Sequence, residues 1–175
     1  MRKQTVTRPI LPVCLLVTGK PCLVVGGGPI AARKVGHLLE AEADVTVVSP
    51  EASGEIQALA RSGKIRLTAR AFADADVKGK WLVFATTDKA DVNRRVIESC
   101  RKQGVLSSAS DSNWPDGDFV TPAICRQNGL VVTVSTGGRS CRQARLVKDK
   151  IAKLLTTITD EASGDEKNDD RQDTL

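Results

Sequence analysis

Three consecutive glycines stand between a short apolar run and a helix-like pattern near the start of the chain. Their spacing, Gly26-x-Gly28-x-x-Ala31, is typical of loops that hold the pyrophosphate of a dinucleotide. The first glycine permits a tight turn, the second lets phosphates approach the backbone, and the alanine lets the helix pack against the strand. The helix then directs its free N–H groups at the phosphates. The predicted cofactor-binding residues of this loop are Gly26, Gly27, Gly28, Pro29, Ile30 and Ala31.

Alternating strand-like and helix-like segments surround the glycine loop. Residues 12–25 are expected to form a hairpin-like entry whose second arm is the first strand. Further strands are predicted at residues 44–48, 65–68, 80–85 and 104–108, and helices at residues 30–40, 51–61 and 88–103. This alternation predicts an α/β fold, a Rossmann-type parallel sheet with helices on both faces.

Two more loops are predicted at the ligand-binding edge, because such sheets bind ligands at the carboxyl ends of their strands. Ser49 stands where an acidic residue often binds the adenosine ribose, and a hydroxyl there tolerates either NAD or NADP. No arginine is adjacent in sequence to favour a 2′-phosphate, so NAD is the expected cofactor. The predicted cofactor-binding residues of these loops are Ser49, Pro50, Thr86, Thr87 and Asp88.

The pattern changes after the fifth predicted strand. A polar, turn-rich loop leads to apolar runs at residues 119–124 and 130–134, which predict an antiparallel strand pair with its turn at Asn128-Gly129. This small strand pair would stand apart from the parallel sheet.

A last helix is predicted over residues 141–159, with Ser140 as its N-cap. The segment before it, residues 135–140, has two interpretations. It is either a glycine-rich connection into a capped helix or an anion-binding helix N-terminus.

Composition and charge narrow the class of protein. The last sixteen residues carry seven acidic and two basic side chains, so the rest of this +5 chain has a net charge of +10. A basic body suits nucleic acid, an acidic small molecule or simply a solvated surface. No Tyr, three Phe and two Trp leave few side chains to stack on bases. We therefore expect the protein to bind an acidic small molecule and not nucleic acid. Because the sequence has no apolar run long enough to span a membrane, we expect no membrane association.

The cysteine pattern indicates a reducing compartment. Five cysteines without a C-x-x-C pair predict reduced and mostly buried thiols in a cytoplasmic protein. The single histidine, His37, is expected to be structural, and no metal site is expected.

Four segments, in this order and spacing, together resemble the precorrin-2 dehydrogenase family, which includes the N-terminal half of sirohaem synthase. The resemblance runs from about residue 11 to about residue 155. The segments are Val-Val-Gly-Gly-Gly at 24–28 with Ala31-x-Arg33-Lys34, Phe84-Ala85-Thr86-Thr87-Asp88 with Val92-Asn93, Asp118-Phe119-x-x-Pro122-Ala123, and Ser135-x-Gly137-Gly138-x-Ser140 with Ala144-Arg145.

The resemblance implies NAD-dependent oxidation of precorrin-2 to sirohydrochlorin in sirohaem biosynthesis, and some family members also insert ferrous iron. It implies a Rossmann domain, a dimerisation region and a small helical domain in an interlocked homodimer. A carboxylate after the fifth strand is the family's acid–base residue. Asp111 is its best match here, and Asp116 and Asp118 are alternatives. A carboxylate in this place can accept the proton that leaves the substrate together with a hydride.

The resemblance also implies that the tetrapyrrole, with its eight carboxylates, binds at the start of the last helix. Arginines there can pair with carboxylates. Thr136 stands where the family usually has serine, and Cys141 where it usually has proline. The expected substrate-binding residues are Thr136, Gly137, Gly138, Arg139, Arg142 and Arg145.

These observations predict five regions along the chain. They are a disordered N-terminus at 1–10, an NAD-binding Rossmann domain at 11–110, a dimerisation and substrate region at 111–140, a C-terminal helix at 141–159 and an acidic disordered tail at 160–175. The helical region is shorter than the family's, which disfavours chelatase activity. The remaining alternatives are a bifunctional dehydrogenase and ferrochelatase, and a non-catalytic dinucleotide-sensing module.

Overall fold

The computed structural model describes the backbone of residues 9–169 and the side chains of residues 9–156. The chain divides into two compact units, one formed by Pro12–Val120 and the other by Thr121–Leu175 with Met1–Leu11. Parts of the predicted N-terminal region and acidic tail, residues 1–8 and 170–175, lie outside the described residues. Among the helices described, none is long and apolar enough to cross a membrane.

The first unit is built on a five-stranded parallel sheet. Its strands are β1 (Pro21–Val25), β2 (Asp44–Val48), β3 (Arg66–Thr68), β4 (Leu82–Ala85) and β5 (Leu106–Ala109), and its helices are α1 (Pro29–Glu40), α2 (Gly54–Arg61) and α3 (Ala90–Gln103). The strand order is β3-β2-β1-β4-β5. The order in which the chain adds strands to the sheet therefore reverses between β1 and β4. Ligands bind at this position in such folds. The predicted α/β fold is confirmed.

Both faces of the sheet are buried, which explains why its strands are almost continuously apolar. Successive side chains of β1 point to opposite faces. Cys22 and Val24 pack into a core with α1 and α2, whereas Leu23 and Val25 pack into a second core with α3.

Residues from three of the four segments that carry the family resemblance meet inside the first unit. Lys34 of α1 is buried, and its ammonium group lies 5.1 Å from the centre of the Phe84 ring. The Phe119 ring meets Phe84 edge-on at 5.4 Å between centroids. A desolvated cation over an aromatic face is favourable, so Lys34 stabilises Phe84, and the Phe84–Phe119 contact joins β4 to the chain after β5.

The predicted hairpin-like entry is wrong. Residues 9–17 form no strand, and the chain turns at residues 18–19 into β1. This turn is fixed by hydrogen bonds from the Lys20 N–H to the Val17 carbonyl and from the Gly19 N–H to the Glu42 carbonyl. Because β1 pairs with β2 on one edge and with β4 on the other, neither edge is left for an antiparallel partner.

Two predicted helices begin later in the structure than in the prediction. Helix α2 begins at Gly54 rather than residue 51, since Ser53 is its N-cap and accepts a hydrogen bond from the Ile56 N–H. Helix α3 begins at Ala90 rather than residue 88. In both cases the residues before the helix form the loop at the ligand-binding edge.

The second unit contains an antiparallel strand pair and a long helix. Its elements are β6 (Ala123–Gln127), β7 (Leu130–Val134) and α4 (Cys141–Asp169). Asn128 and Gly129 both have positive φ, 47° and 78°, as a two-residue hairpin turn requires. Ser140 is the N-cap of α4, as predicted, since its hydroxyl accepts a hydrogen bond from the Gln143 N–H. The predicted strand over residues 119–124 begins only at Ala123.

Helix α4 continues to Asp169, past the predicted end at residue 159. The prediction of a disordered tail from residue 160 is therefore not met over residues 160–169. Residue types do not explain this extension, because six of the ten residues, Gly164 among them, have low helix propensity.

Candidate active site

The glycine loop between β1 and α1 is held tightly by two neighbouring loops. Gly26 has φ +123°, and a Cβ there would lie 2.8 Å from the Thr86 hydroxyl oxygen. A Cβ on Gly27 would collide with the Glu51 carbonyl oxygen and lie 2.8 Å from the Ala52 Cα. The Ser53 N–H also donates to the Gly27 carbonyl at 2.8 Å. These contacts require glycine at both positions for reasons of packing.

Gly28 has a different environment from the other two glycines. It is the N-cap residue of α1, Pro29 occupies the first turn, and a Cβ on Gly28 would meet no atom within 4 Å. The first turn of a helix leaves N–H groups without intrahelical partners. Open space at such a terminus fits a pyrophosphate group. The three glycines thus divide into two that pack the loop and one that leaves space above it.

The loop after β2 presents a buried serine. Ser49 is 7% exposed, and its hydroxyl donates to the Glu51 carbonyl at 2.6 Å. Pro50, next in the chain, is exposed. Because the Ser49 proton is used within the loop, the hydroxyl offers its lone pairs to a ligand.

Arg70, which was not singled out from the sequence, follows the adjacent strand β3. Its guanidinium binds both carboxylate oxygens of Asp76 at 2.6 and 2.8 Å.

The loop after β4 is fixed to β1 and to α3. The Thr86 N–H and hydroxyl both donate to the Val25 carbonyl, at 2.8 and 2.9 Å. Asp88 is exposed. Thr87 donates from its N–H and its hydroxyl to Oδ1 of Asn93, at 3.0 and 2.7 Å. The structure therefore brings Gly26 and Thr86 together and attaches Thr87 to a buried amide of α3.

Asp111 lies within hydrogen-bonding distance of the same amide. Its Oδ2 accepts a hydrogen bond from Nδ2 of Asn93 at 2.7 Å and a second from Nδ2 of Asn113 at 3.1 Å. Its Oδ1 accepts from the Asn113 N–H at 2.9 Å. Asn113 is anchored in turn, because Nδ2 also donates to the Ala90 carbonyl at 2.8 Å. The carboxylate is thus fixed by neutral donors at the end of β5.

The two alternative carboxylates have other environments. The hydroxyl and the backbone N–H of Ser107 both donate to Oδ2 of Asp118 at 2.9 Å, so Asp118 fixes the end of this loop to β5. Asp116 is exposed, and its backbone carbonyl accepts a hydrogen bond from Arg101 at 3.0 Å. Of the three, Asp111 is the one joined through Asn93 to the Thr86–Asp88 loop.

The resemblance segments include Asn93 without assigning it a role in the site, and Asn113 was not singled out from the sequence. Asn93 is fully buried, although it lies on the apolar face of α3 with Val96 and Ile97. An amide among inward-facing apolar residues is the signal that could have singled it out, because buried polar groups are rarely unpaired.

The residues predicted to bind substrate lie in the second unit. The Thr136 hydroxyl accepts from the Ser140 N–H at 2.9 Å and donates to the Ser140 carbonyl at 3.2 Å. The Arg139 guanidinium donates to the Thr136 carbonyl at 3.1 Å. Gly137 and Gly138 have positive φ, and Arg142 and Arg145 are exposed on α4. The segment is a structured turn that leads into a capped helix and carries exposed cations.

Cysteine and metal chemistry add little to this site. Burial raises the pKa of Cys22 to about 11 and that of Cys100 to about 12, so both thiols stay protonated and unreactive. All five cysteines are free. No group of three His, Cys, Asp or Glu side chains that could hold a metal ion occurs in the described part of the chain.

A parallel sheet in the order 3-2-1-4-5, with a glycine loop at the N-terminus of α1, defines a Rossmann-type dinucleotide-binding domain. The chain belongs to the protein family described as "Putative NAD(P)-binding", whose sequence profile matches residues 13–123. The open N-terminus of α1 above Gly28 fits the pyrophosphate of such a cofactor. Membership of this family identifies the cofactor as a nicotinamide dinucleotide.

Relatives and a solved structure confirm the resemblance predicted from the motifs. The chain is 41% identical over 145 residues to siroheme synthase 1 of Aeromonas salmonicida, and 42% identical over 144 residues to siroheme synthase of Thioalkalivibrio sulfidiphilus. These matches cover 83% and 82% of this chain but 31% and 29% of the relatives. The chain therefore spans about a third of the length of the curated relatives it matches.

The structure of SirC, a precorrin-2 dehydrogenase, superposes with a TM-score of 0.73 at 28% identity. The match covers 83% of this chain and 71% of SirC. It confirms the predicted combination of a parallel sheet, a separate strand pair and a C-terminal helix.

Proposed function

We propose that the protein is an NAD-dependent dehydrogenase that oxidises precorrin-2 to sirohydrochlorin. The observation that carries the proposal is the connection from the Thr86–Asp88 loop through Asn93 to the Asp111 carboxylate. The similarity to SirC and to the siroheme synthases supports the choice of reaction.

The oxidation removes one hydride and one proton from the macrocycle. When bound, the dinucleotide supplies the hydride acceptor. Asp111 is proposed to accept the proton at Oδ1, because Oδ2 already receives two hydrogen bonds and Oδ1 receives one. A carboxylate fixed in this position can act as the general base for the proton that leaves the substrate.

The dinucleotide is proposed to lie along the edge formed by the loops after β1, β2 and β4. Its pyrophosphate would be held above Gly28 at the N-terminus of α1, with the ribose near Ser49 and Pro50. NAD is favoured over NADP because the guanidinium of Arg70 is already paired with Asp76, which leaves less positive charge for a 2′-phosphate. The residues proposed to hold the cofactor are Gly26, Gly27, Gly28, Pro29, Ile30, Ala31, Ser49, Pro50, Thr86, Thr87 and Asp88.

The exposed arginines of α4 are proposed to bind the carboxylates of the tetrapyrrole. Arg142 and Arg145 follow the turn formed by Thr136, Gly137 and Gly138, and Arg139 lies in that turn. Replacing Arg142 and Arg145 by glutamine is expected to raise KM for precorrin-2 about tenfold or more, with an unchanged Kd for NAD. A rise in the NAD Kd instead would assign them to the cofactor.

A homodimer and a cytoplasmic location complete the proposal. Within β7 and the described side chains of α4, five large apolar side chains are exposed, which suits a subunit interface. They are Leu130, Val131, Leu146, Val147 and Leu154. Five free thiols are consistent with the reducing cytoplasm. Sedimentation equilibrium at micromolar concentration tests the dimer, and a monomeric mass would contradict it.

Three single substitutions test the assignment of the base. Asp111→Asn, Asp116→Asn and Asp118→Asn each remove one candidate carboxylate with little change of shape. In an anaerobic assay with precorrin-2 and NAD, Asp111→Asn is expected to lower kcat by about 10²- to 10⁴-fold. Asp116→Asn is expected to match wild type. Normal turnover by Asp111→Asn would remove it from the proposed mechanism, and normal turnover by all three would favour a base outside this loop.

A further inference from the structure

We propose that Asn93 is a positioning residue that fixes the Asp111 carboxylate relative to the cofactor loop through a single side-chain amide. The inference rests on the proposed function, since it assigns a partner to the proposed base. It concerns a residue of α3 that lies neither in the glycine loop nor in the loop that carries Asp111.

The orientation of the Asn93 amide follows from its partners. The Thr87 N–H can only donate, so the atom that faces it at 3.0 Å is the acceptor Oδ1. The Thr87 carbonyl can only accept, so the atom that faces it at 2.9 Å is the donor Nδ2. The second N–H of Nδ2 is then directed at Oδ2 of Asp111, 2.7 Å away.

All of the hydrogen-bonding capacity of this amide is used. Oδ1 accepts from the N–H and from the hydroxyl of Thr87, and Nδ2 donates to the Thr87 carbonyl and to Asp111. The side chain has no exposed surface. A rotation of the amide would therefore break several buried hydrogen bonds at once, and unpaired buried polar groups are costly. This makes Asn93 a rigid connection.

The contacts also determine which oxygen of Asp111 is left to react. Oδ2 receives hydrogen bonds from Asn93 and Asn113, whereas Oδ1 receives one from the Asn113 N–H. Asn93 thus engages the oxygen that does not take the proton and sets the direction of the one that does. A shift of about 1 Å in a reacting group lowers rates by roughly 10²-fold.

Asn93→Ser tests this role, because serine is too short to reach Thr87 and Asp111 together. The expected result is a fall in kcat of about 10- to 100-fold, with a change in the Kd for NAD of no more than about threefold. In an Asp111→Ala background the same substitution is expected to have no further effect on the residual rate, since two residues that act through one group are not additive. Independent, multiplying effects in the double variant would overturn the inference.

Ser99→Ala is the matched control on the same helix. Ser99 is also buried, and its hydroxyl donates to Asp74 at 2.8 Å, so its loss removes a hydrogen bond of α3 outside the site. Both substitutions are expected to lower Tm, but only Asn93→Ser is expected to lower kcat per folded protein. Equal kcat in the two variants would show that Asn93 is merely structural.

A measurement without substrate separates this inference from the proposed function. In ¹H–¹⁵N spectra of the cofactor-free protein, the side-chain amide signals of Asn93 are assigned as the pair that disappears in the spectrum of Asn93→Ser. Its hydrogen-bonded proton is expected to move upfield and exchange faster in Asp111→Ala. An unchanged amide pair would refute the contact whether or not the wild type oxidises precorrin-2. Absence of wild-type turnover with a responsive amide would refute only the proposed reaction.

Discussion

The three glycines of the loop after β1 differ in what they contribute. Gly26 and Gly27 face backbone or side-chain atoms of neighbouring loops, whereas Gly28 faces open space. The fingerprint pattern treats Gly26 and Gly28 as its important positions, and it is silent on Gly27. The structure adds that Gly27 is the glycine most restricted by its neighbours.

Gly28→Asp is expected to separate cofactor binding from stability. Aspartate is a favoured N-cap residue and carries a favourable charge at a helix N-terminus, and its Cβ would meet nothing. Tm should therefore stay the same or rise. The same charge opposes a pyrophosphate, so affinity for NAD should fall ~100-fold or more. Calorimetric titration alongside thermal unfolding measures both, and retained affinity would move the pyrophosphate elsewhere.

Gly27→Ala is expected to show the opposite behaviour. The added methyl would collide with the backbone of Glu51 and Ala52, which cannot move as a flexible side chain can. The free energy of unfolding should fall by about 1–3 kcal/mol, as measured by urea denaturation. An unchanged midpoint would mean that the loop after β2 is not held as described.

At the scale of elements, the sheet was predictable and its surroundings were only partly so. Strands β2 and β4 are apolar runs between clear turns, and they were predicted close to their observed bounds. The 12–25 hairpin failed because an apolar stretch does not reveal that both edges of β1 are already paired. The loops after β2 and β4 extend into the predicted helices because they bind the glycine loop and Asn93.

The candidate site was predictable to the same extent. The glycine loop and Asp111 could be found from motifs, since their residue types and order carry the signal. Asn93 could not be assigned a role, because an amide on a helix shows its partners only when α3 and the chain after β5 come together. Gly27 was named from its place in the motif, but its contact with the loop after β2 depends on tertiary packing.

Two glycines in helical contexts provide a matched test at this scale. Gly104 ends α3 with φ 65°, whereas Gly36 lies inside α1 with no left-handed φ, and a Cβ on either would meet nothing. Gly104→Ala is expected to cost about 1–2 kcal/mol through backbone strain. Gly36→Ala is expected to stabilise by about 0.5–1 kcal/mol. Chemical denaturation measures both, and shifts of the same sign would contradict the described helix ends.

For the molecule as a whole, the buried thiols report on the integrity of the first unit. Cys22 and Cys100 lie in the two cores on opposite faces of the sheet, whereas Cys14 and Cys141 are exposed. A thiol reagent should modify the exposed pair quickly in the native protein. Cys22 and Cys100 should react only on unfolding, with one shared denaturant midpoint that NAD raises. Different midpoints would show that the two faces unfold separately.

The same thiols give stability a pH dependence with a defined sign. Burial raises the pKa of Cys22 to about 11 and that of Cys100 to about 12 in the folded protein, above the ordinary value of 9.0. The contribution of the two thiols to the free energy of unfolding is fully present below pH 9, where they are protonated in both the folded and the unfolded state. It is lost as the pH rises from about 9 through 11–12, because only the unfolded state releases the protons. Cys22→Ala with Cys100→Ala should flatten the fall in Tm over this range, and an unaltered slope would contradict the assignment.

The most direct test of the central claim is an anaerobic assay of the purified chain with precorrin-2 and with NAD, NADP or no cofactor. Sirohydrochlorin and reduced cofactor are followed together by absorbance. The account predicts that both appear in equal amounts with NAD, and that Asp111→Asn binds NAD with normal affinity while forming both about 10²- to 10⁴-fold more slowly. Folded protein that binds NAD but forms no sirohydrochlorin with either cofactor would contradict the dehydrogenase assignment and favour a dinucleotide-sensing module.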